Sequence, residues 1–225
     1  MAASATDWAV RGSACGVLAL GLMLLFQACS ELPPRRLDDL CAIFAQKPDW
    51  QQAAIRSYQR WGVPVPVMMA VLHQESRFRP SARPGWRRLL GLLPLPVRQS
   101  SAYGYGQVKD GTWADYRQQT GNAHARRDEF ADVVDFVGWY GDVIHRLASI
   151  PKEDAYHLYL AYHEGPRGFS LGNHQEKDWL LHVARKVEGQ AQRYRSQLAH
   201  CPGTATEPDR AQARNPAGLA DIESP

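Results

Sequence analysis

Apolar residues recur along most of this chain at spacings of three and four, the period of an α-helix that buries one side. "DDLCAIF" and "WQQAAIRSYQRW" predict one or two opening helices. Pro66 to Arg77 predicts another, started by the prolines of "VPVPV". "DGTWADYRQQ" (110–119) predicts a short helix closed by "TGN". From Asp128, the residues Phe130, Val133, Val134, Val137, Ile144 and Leu147 keep the period through a long helix. Ala155, Leu158, Tyr159 and Tyr162 extend the pattern until "GPRG" stops it. Leu180, Val183, Val187, Ala191, Tyr194 and Leu198 predict the last helix. No alternation of period two is convincing, and a small β-hairpin is expected at most within residues 95–108. The predicted fold class is mainly α.

Two positions break this pattern. "RPSARPGWRRLLGLLPLPVRQSS" (79–101) is too rich in Pro and Gly for one regular element, and reads as a long irregular flap carrying five arginines. It is either a surface flap whose leucines cover the core, or a basic patch beside a cleft or a membrane surface. The second break is Glu75. On a helical wheel it falls in the apolar stripe of Met68, Val71 and Leu72. Burying a carboxylate is costly unless something compensates. Two readings follow: a structural ion pair with an arginine, or a carboxyl whose pKa is raised by apolar walls so that it holds a proton near neutral pH. A general acid needs that second property.

Composition narrows the setting. "ACGVLALGLMLLF" (14–26) is uncharged and preceded by Arg11, with the length of a secretory hydrophobic region rather than of a membrane span. It ends in "FQACS", which resembles a bacterial lipoprotein processing site with Cys29 as the lipidated residue. The alternative is a hydrophobic leader without lipidation. Ser30 resembles the signal for outer-membrane delivery in Gram-negative bacteria, so a periplasmic, outer-membrane-anchored chain is expected. Export leaves Cys41 and Cys201, which in an oxidising compartment either bridge the ends of the folded region or remain buried thiols. The expected organisation is a signal peptide at 1–28, a linker and opening helix at 29–48, a helical domain at 49–201 and a disordered tail at 202–225. A net charge of +3 is too mild to argue for nucleic acid. A monomer without cofactor is expected.

Metal motifs fail on spacing. "HQE" (73–75) lacks the PCxxC partner of zinc deaminases, and "HEGPR" (163–167) ends on Arg167 where HExxH requires His. No G-x-S-x-G is present.

Three stretches remain: "ESRFRPSA" (75–82), "SAYGYGQ" (101–107) and "AYHEGPRG" (161–168). In this order they resemble the signature of the lytic transglycosylase family related to goose-type lysozyme. That signature runs Glu-Ser, then Gly-Leu-Met-Gln, then Ala-Tyr-Asn-Ala-Gly. Glu75 and Ser76 match the first part, Gln107 ends the second, and Tyr162 and Gly165 belong to the third. Tyr105 and Gly106 replace Leu and Met, His163 replaces Asn, and Glu164 replaces Ala. The likeness spans roughly residues 50–198. It implies a lysozyme-like helical domain that cleaves the β-1,4 bond between N-acetylmuramic acid and N-acetylglucosamine in peptidoglycan. It further implies Glu75 as a single acid/base that leaves 1,6-anhydromuramoyl ends. Gln107, Tyr162, Tyr105, Ser101 and His163 are the substrate contacts it suggests, with Ser100 the alternative to Ser101. Ser76 is expected to support the helix end. Glu164 is the one candidate for a second carboxylate, which would favour a water-using lysozyme; the alternative from another class is a non-catalytic cell-wall-binding lipoprotein that keeps the fold.

Overall fold

The computed structural model describes residues 32–89, 93–98 and 100–201. The leader, Cys29 and the 202–225 tail lie outside the described residues. Helix α1 (Leu40–Gln46) starts where the Asp39 carboxylate accepts from the Ala42 N–H. Lys47 precedes a proline and cannot continue that helix, so α2 (Pro48–Trp61) begins anew with Pro48 in its first turn. It closes on Gly62 at φ 73°, a left-handed conformation that glycine adopts without penalty.

Helix α3 (Val65–Ser76) is the centre of the molecule. Val65 through Leu72 are all buried, so the stripe seen in the sequence is only one side of a helix wrapped on every face. It packs against α2, α5 (Phe130–Ala148) and α8 (Asp178–Leu198). Glu75 therefore does not face the middle of the core. It stands in the last turn of α3, where the buried helix runs out.

Helix α4 (Asp110–Thr120) ends on Gly121. The long period after Asp128 divides into two helices, because Ser149 turns left-handed and the Asp154 carboxylate caps a new start at α6 (Ala155–Glu164). Leu147, assigned by periodicity to the apolar face, is 66 % exposed. "GPRG" does end α6, yet α7 (Pro166–Ser170) follows at once.

The expectation for residues 79–108 is corrected. A hairpin forms earlier, from β1 (Trp86–Leu89) and β2 (Leu93–Arg98), inside the stretch read as irregular. Its register pairs Trp86 with Arg98, Arg88 with Pro94 and Leu89 with Leu93, with an irregularity between Trp86 and Arg88. Pro94 and Pro96 sit two apart, so their missing N–H groups fall on one edge of β2. A two-stranded sheet leaves each strand such an edge. Within 95–108 an isolated bridge joins Tyr103 to Val108.

Two devices set the helices in place. Trp50 of α2 stacks on Phe130 of α5 at 4.0 Å, with Tyr105 edge-on to both. Cys41 and Cys201 are bridged across 160 residues, with Cα atoms 5.5 Å apart. A closed loop of that length restricts the unfolded chain by about 5 kcal/mol in the chain-entropy model. Beside the bridge, Gln197 accepts from the Leu40 N–H at 2.8 Å and donates to the Asp38 carbonyl at 3.0 Å. Helices α2 and α5 touch closely at Gly138, where a Cβ would come 2.3 Å from Ser57 Oγ. Ser57 itself donates to the Val134 carbonyl at 2.9 Å across the same contact.

Gly138→Ala should destabilise the fold by about 1–3 kcal/mol through overpacking, although Ala is the better helix former. Gly111→Ala in α4, with nothing within 4 Å of its added Cβ, should stabilise by roughly 0.5–1 kcal/mol. Denaturant midpoints of the two variants check both signs.

Candidate active site

The chain leaves α3 under strain. Arg77 and Phe78 both lie at positive φ, 53° and 58°, where L-residues each lose on the order of 1–2 kcal/mol. Burial holds them there: Phe78 is fully enclosed, 5.8 Å from the Trp50 ring. Buried Ser76 ties the turn, donating to the Leu72 carbonyl at 3.4 Å and accepting from the Arg79 N–H at 3.2 Å. This sharp exit brings the end of α3 onto a cleft of about 670 Å³. Its walls come from the 100–109 loop, α5, α6 and α8, and Glu75 lies on it.

Aromatic side chains surround the carboxyl. Phe136 and Tyr140 of α5 and Tyr159 and Tyr162 of α6 line the same cleft. Desolvation among them raises the Glu75 pKa from 4.5 to about 7, against a smaller opposing effect from a Tyr159 hydrogen bond. The Tyr159 phenol is itself pushed up, first by burial and then by the Glu75 charge, so it stays a proton donor. Burial, with the Glu75 charge second, keeps Tyr162 protonated too.

Of the residues the sequence singled out, the cleft gathers Glu75, Gln107, Tyr162 and His163, with Ser100 and Glu164 beside them. Gln107, at φ 49°, donates from Nε2 to the carbonyls of Ala82 and Gly104, both at 2.9 Å. It thereby locks the segment after α3 to the 104–107 turn. The Tyr162 hydroxyl donates to the Gly106 carbonyl at 2.8 Å rather than to Glu75. His163 Nδ1 contacts Glu164 Oε1 at 3.0 Å.

Tyr105 and Ser101 lie elsewhere. Tyr105 is fully buried in the Trp50–Phe130 cluster, a core residue rather than a cleft wall. Ser101 is exposed, and its Oγ accepts from the Asp110 N–H at 3.2 Å where α4 begins. The glycines of "GYGQ" have steric reasons. A Cβ on Gly104 would fall 1.8 Å from the Arg127 carbonyl oxygen, and one on Gly106 would come 3.0 Å from the Tyr162 hydroxyl. No methionine fits at Gly106 without displacing Tyr162.

Glu164 differs from Glu75 in every respect that sets a carboxyl's charge. Its side chain is 7 % exposed and takes both oxygens to Lys177 Nζ, at 2.7 and 2.8 Å. Burial alone would push its pKa up, but the Lys177 and His163 contacts outweigh it and hold the group below the usual range.

Tyr159, whose hydroxyl acts on the Glu75 carboxyl, is a core position by periodicity alone. Its spacing of three from Tyr162 places both phenols on one helix face, a signal that was there to use. Trp179 and Lys177 carried no such signal, because their roles depend on how α8 meets α6.

The model of the transglycosylase SLT domain matches residues 17–201, most of the chain. The chain belongs to this family. The match covers the whole cleft and is consistent with a glycan-cleaving lyase activity in general; members of the family are typically periplasmic enzymes. No curated protein matches the chain. Within this SLT domain the matched span begins at residue 17, ahead of the 50–198 over which the motifs suggested the likeness.

Folding raises the Glu75 pKa from 4.5 to about 7, so the folded domain holds this proton more tightly than the unfolded chain does. The stabilisation is fully present below the unfolded value and is lost as pH rises through about 7. Glu75→Gln has no proton to lose. The variant's stability relative to the parent should therefore increase by on the order of 3 kcal/mol between about pH 4 and pH 8. Denaturant unfolding at the two pH values measures it, and a constant difference would mean an unperturbed carboxyl.

Proposed function

We propose that this chain is a peptidoglycan lytic transglycosylase in which Glu75 is the catalytic acid and base, cleaving the N-acetylmuramic acid–β-1,4–N-acetylglucosamine bond and leaving 1,6-anhydromuramoyl ends. The observation that carries the reading is the contrast between the two carboxyls of the cleft. Glu75 is desolvated and keeps its proton to about pH 7, whereas Glu164 is ionised and occupied by Lys177 and His163. One carboxyl is ready to give a proton. The other is engaged in holding helices together.

The chemistry then runs through one group. Glu75 donates its proton to the glycosidic oxygen as the bond to the muramoyl anomeric carbon breaks. The resulting carboxylate takes the proton of the same sugar's C6 hydroxyl, whose oxygen closes onto that carbon. No water is consumed, and Glu75 ends protonated as it began. The Tyr159 hydroxyl steadies the carboxylate between the two transfers. The aromatic walls favour its reprotonation. Gln107 holds the cleft loop against the segment after α3.

Residues 1–28 serve in this reading as a leader, and Cys29 as the lipidated first residue of a periplasmic, outer-membrane-anchored enzyme. Residues 49–201 make up the catalytic domain.

Digestion of purified peptidoglycan with product mass analysis tests the proposal. The parent should release fragments lighter by one water than hydrolytic products, and Glu75→Gln should lose at least about 1,000-fold in rate while remaining folded. Hydrated ends, or a variant that cleaves as the parent does, would contradict it. A second expectation concerns pH. Activity needs the protonated acid, so kcat/KM should fall as pH rises through about 7. Tyr159→Phe removes the contact that lowers the Glu75 pKa and should move that alkaline limb to higher pH.

A further inference from the structure

The α8 side of the cleft carries a group of residues that the acid chemistry does not use. Lys177 immediately precedes α8, and its bonds to both oxygens of Glu164 clamp the start of α8 to the end of α6. The same carboxylate holds His163 through Nδ1 at 3.0 Å. A carboxylate accepts only, so Nδ1 carries the proton, and in the neutral ring Nε2 is left as an acceptor. Two residues past Lys177, the Trp179 ring lies edge-on to His163, with centroids 5.2 Å apart and planes at 79°.

Trp179 lines the cleft yet is 56 % exposed. Among the described residues from Pro33 on, the other large apolar side chains that stand out to a similar degree, Leu147 and Leu171, do not line the cleft. An indole kept in water loses the free energy that its burial would return, and here the edge-on contact with His163 holds it at that position. A pyranose ring is the complementary ligand: its C–H face covers an indole, while its hydroxyl and acetamido N–H groups seek acceptors.

We infer that Trp179 and His163 form a saccharide subsite on the α8 side of the cleft. It takes one N-acetylhexosamine ring of the glycan on the indole face, with a hydroxyl or amide N–H donating to His163 Nε2. The inference rests on the glycan-cleaving reading above and adds where a sugar distant from the broken bond is held. Lys177 and Glu164 are positioning residues: they touch no sugar and fix the two that do.

Calorimetry with the β-1,4-linked hexamer of N-acetylglucosamine tests it on the full chain carrying Glu75→Gln, which binds without turnover. Adding Trp179→Ala should weaken the hexamer about ten-fold, and Trp179→Phe by about three-fold or less. In the chain with Glu75 intact, acting on peptide-free glycan strands, Trp179→Ala and Lys177→Met should raise KM several-fold. Each should leave kcat within about two-fold, the pattern of lost binding rather than lost chemistry. Lys177→Arg should restore the parent KM, which a merely structural surface role would not require. The subsite is overturned if Trp179→Ala binds the hexamer as tightly as its background, or if that background fails to bind it. Strands left uncut by the parent would contradict the proposed reaction itself. Strands cut normally beside an unchanged Trp179→Ala affinity would contradict the subsite alone.

Discussion

The desolvation of one carboxyl group governs the cleft. Glu75 stands where a wholly buried helix ends, and four aromatic side chains from α5 and α6 line the space around it. Their effect is electrostatic before it is steric, because they remove the water that would stabilise the ionised form. The Tyr159 hydroxyl opposes this only in part. The remainder of the fold supplies what such a position needs. Buried α3 brings the group to the end of its helix, and the left-handed turn at Arg77 and Phe78 takes the chain sharply away. The aromatic cluster around Trp50 holds that turn closed.

The same cleft shows how differently one chemical group can be used. The Glu164 side chain is only 7 % exposed, but an ammonium and an imidazole meet its oxygens. Its charge is compensated and its proton lost, so it serves as a link between α6 and α8. Pairs of titratable groups whose surroundings push their pKa values apart mark a division of labour. Here one carboxyl is left protonated on the cleft and the other is committed to architecture, so the presence of Glu164 does not by itself argue for a hydrolase over the proposed reaction.

Periodicity made the mainly helical fold legible, because burial on one side leaves a direct trace in the spacing of Phe130, Val133 and Val137. It could not show that α3 is buried on every side, since that depends on helices more than 50 residues away in sequence, α5 and α8. Proline content concealed the hairpin, as an edge strand tolerates what a central strand does not. Glu75 was conspicuous because charge contradicted pattern. Tyr105 was misplaced because a motif position says nothing about which way a side chain turns; in this chain it faces Trp50. Tyr159 went unseen because a tyrosine on an apolar face looks like core until its hydroxyl is given a partner.

The fold itself keeps Glu75 protonated near neutrality, and titration of that carboxyl measures this most directly. Carbon-13 NMR of the folded protein labelled at the glutamate side-chain carboxyl, with Glu75→Gln to assign the resonance, gives its pKa without reference to activity. A midpoint at about 7 is expected. A midpoint at 4.5, the value of an unperturbed glutamate, would contradict it.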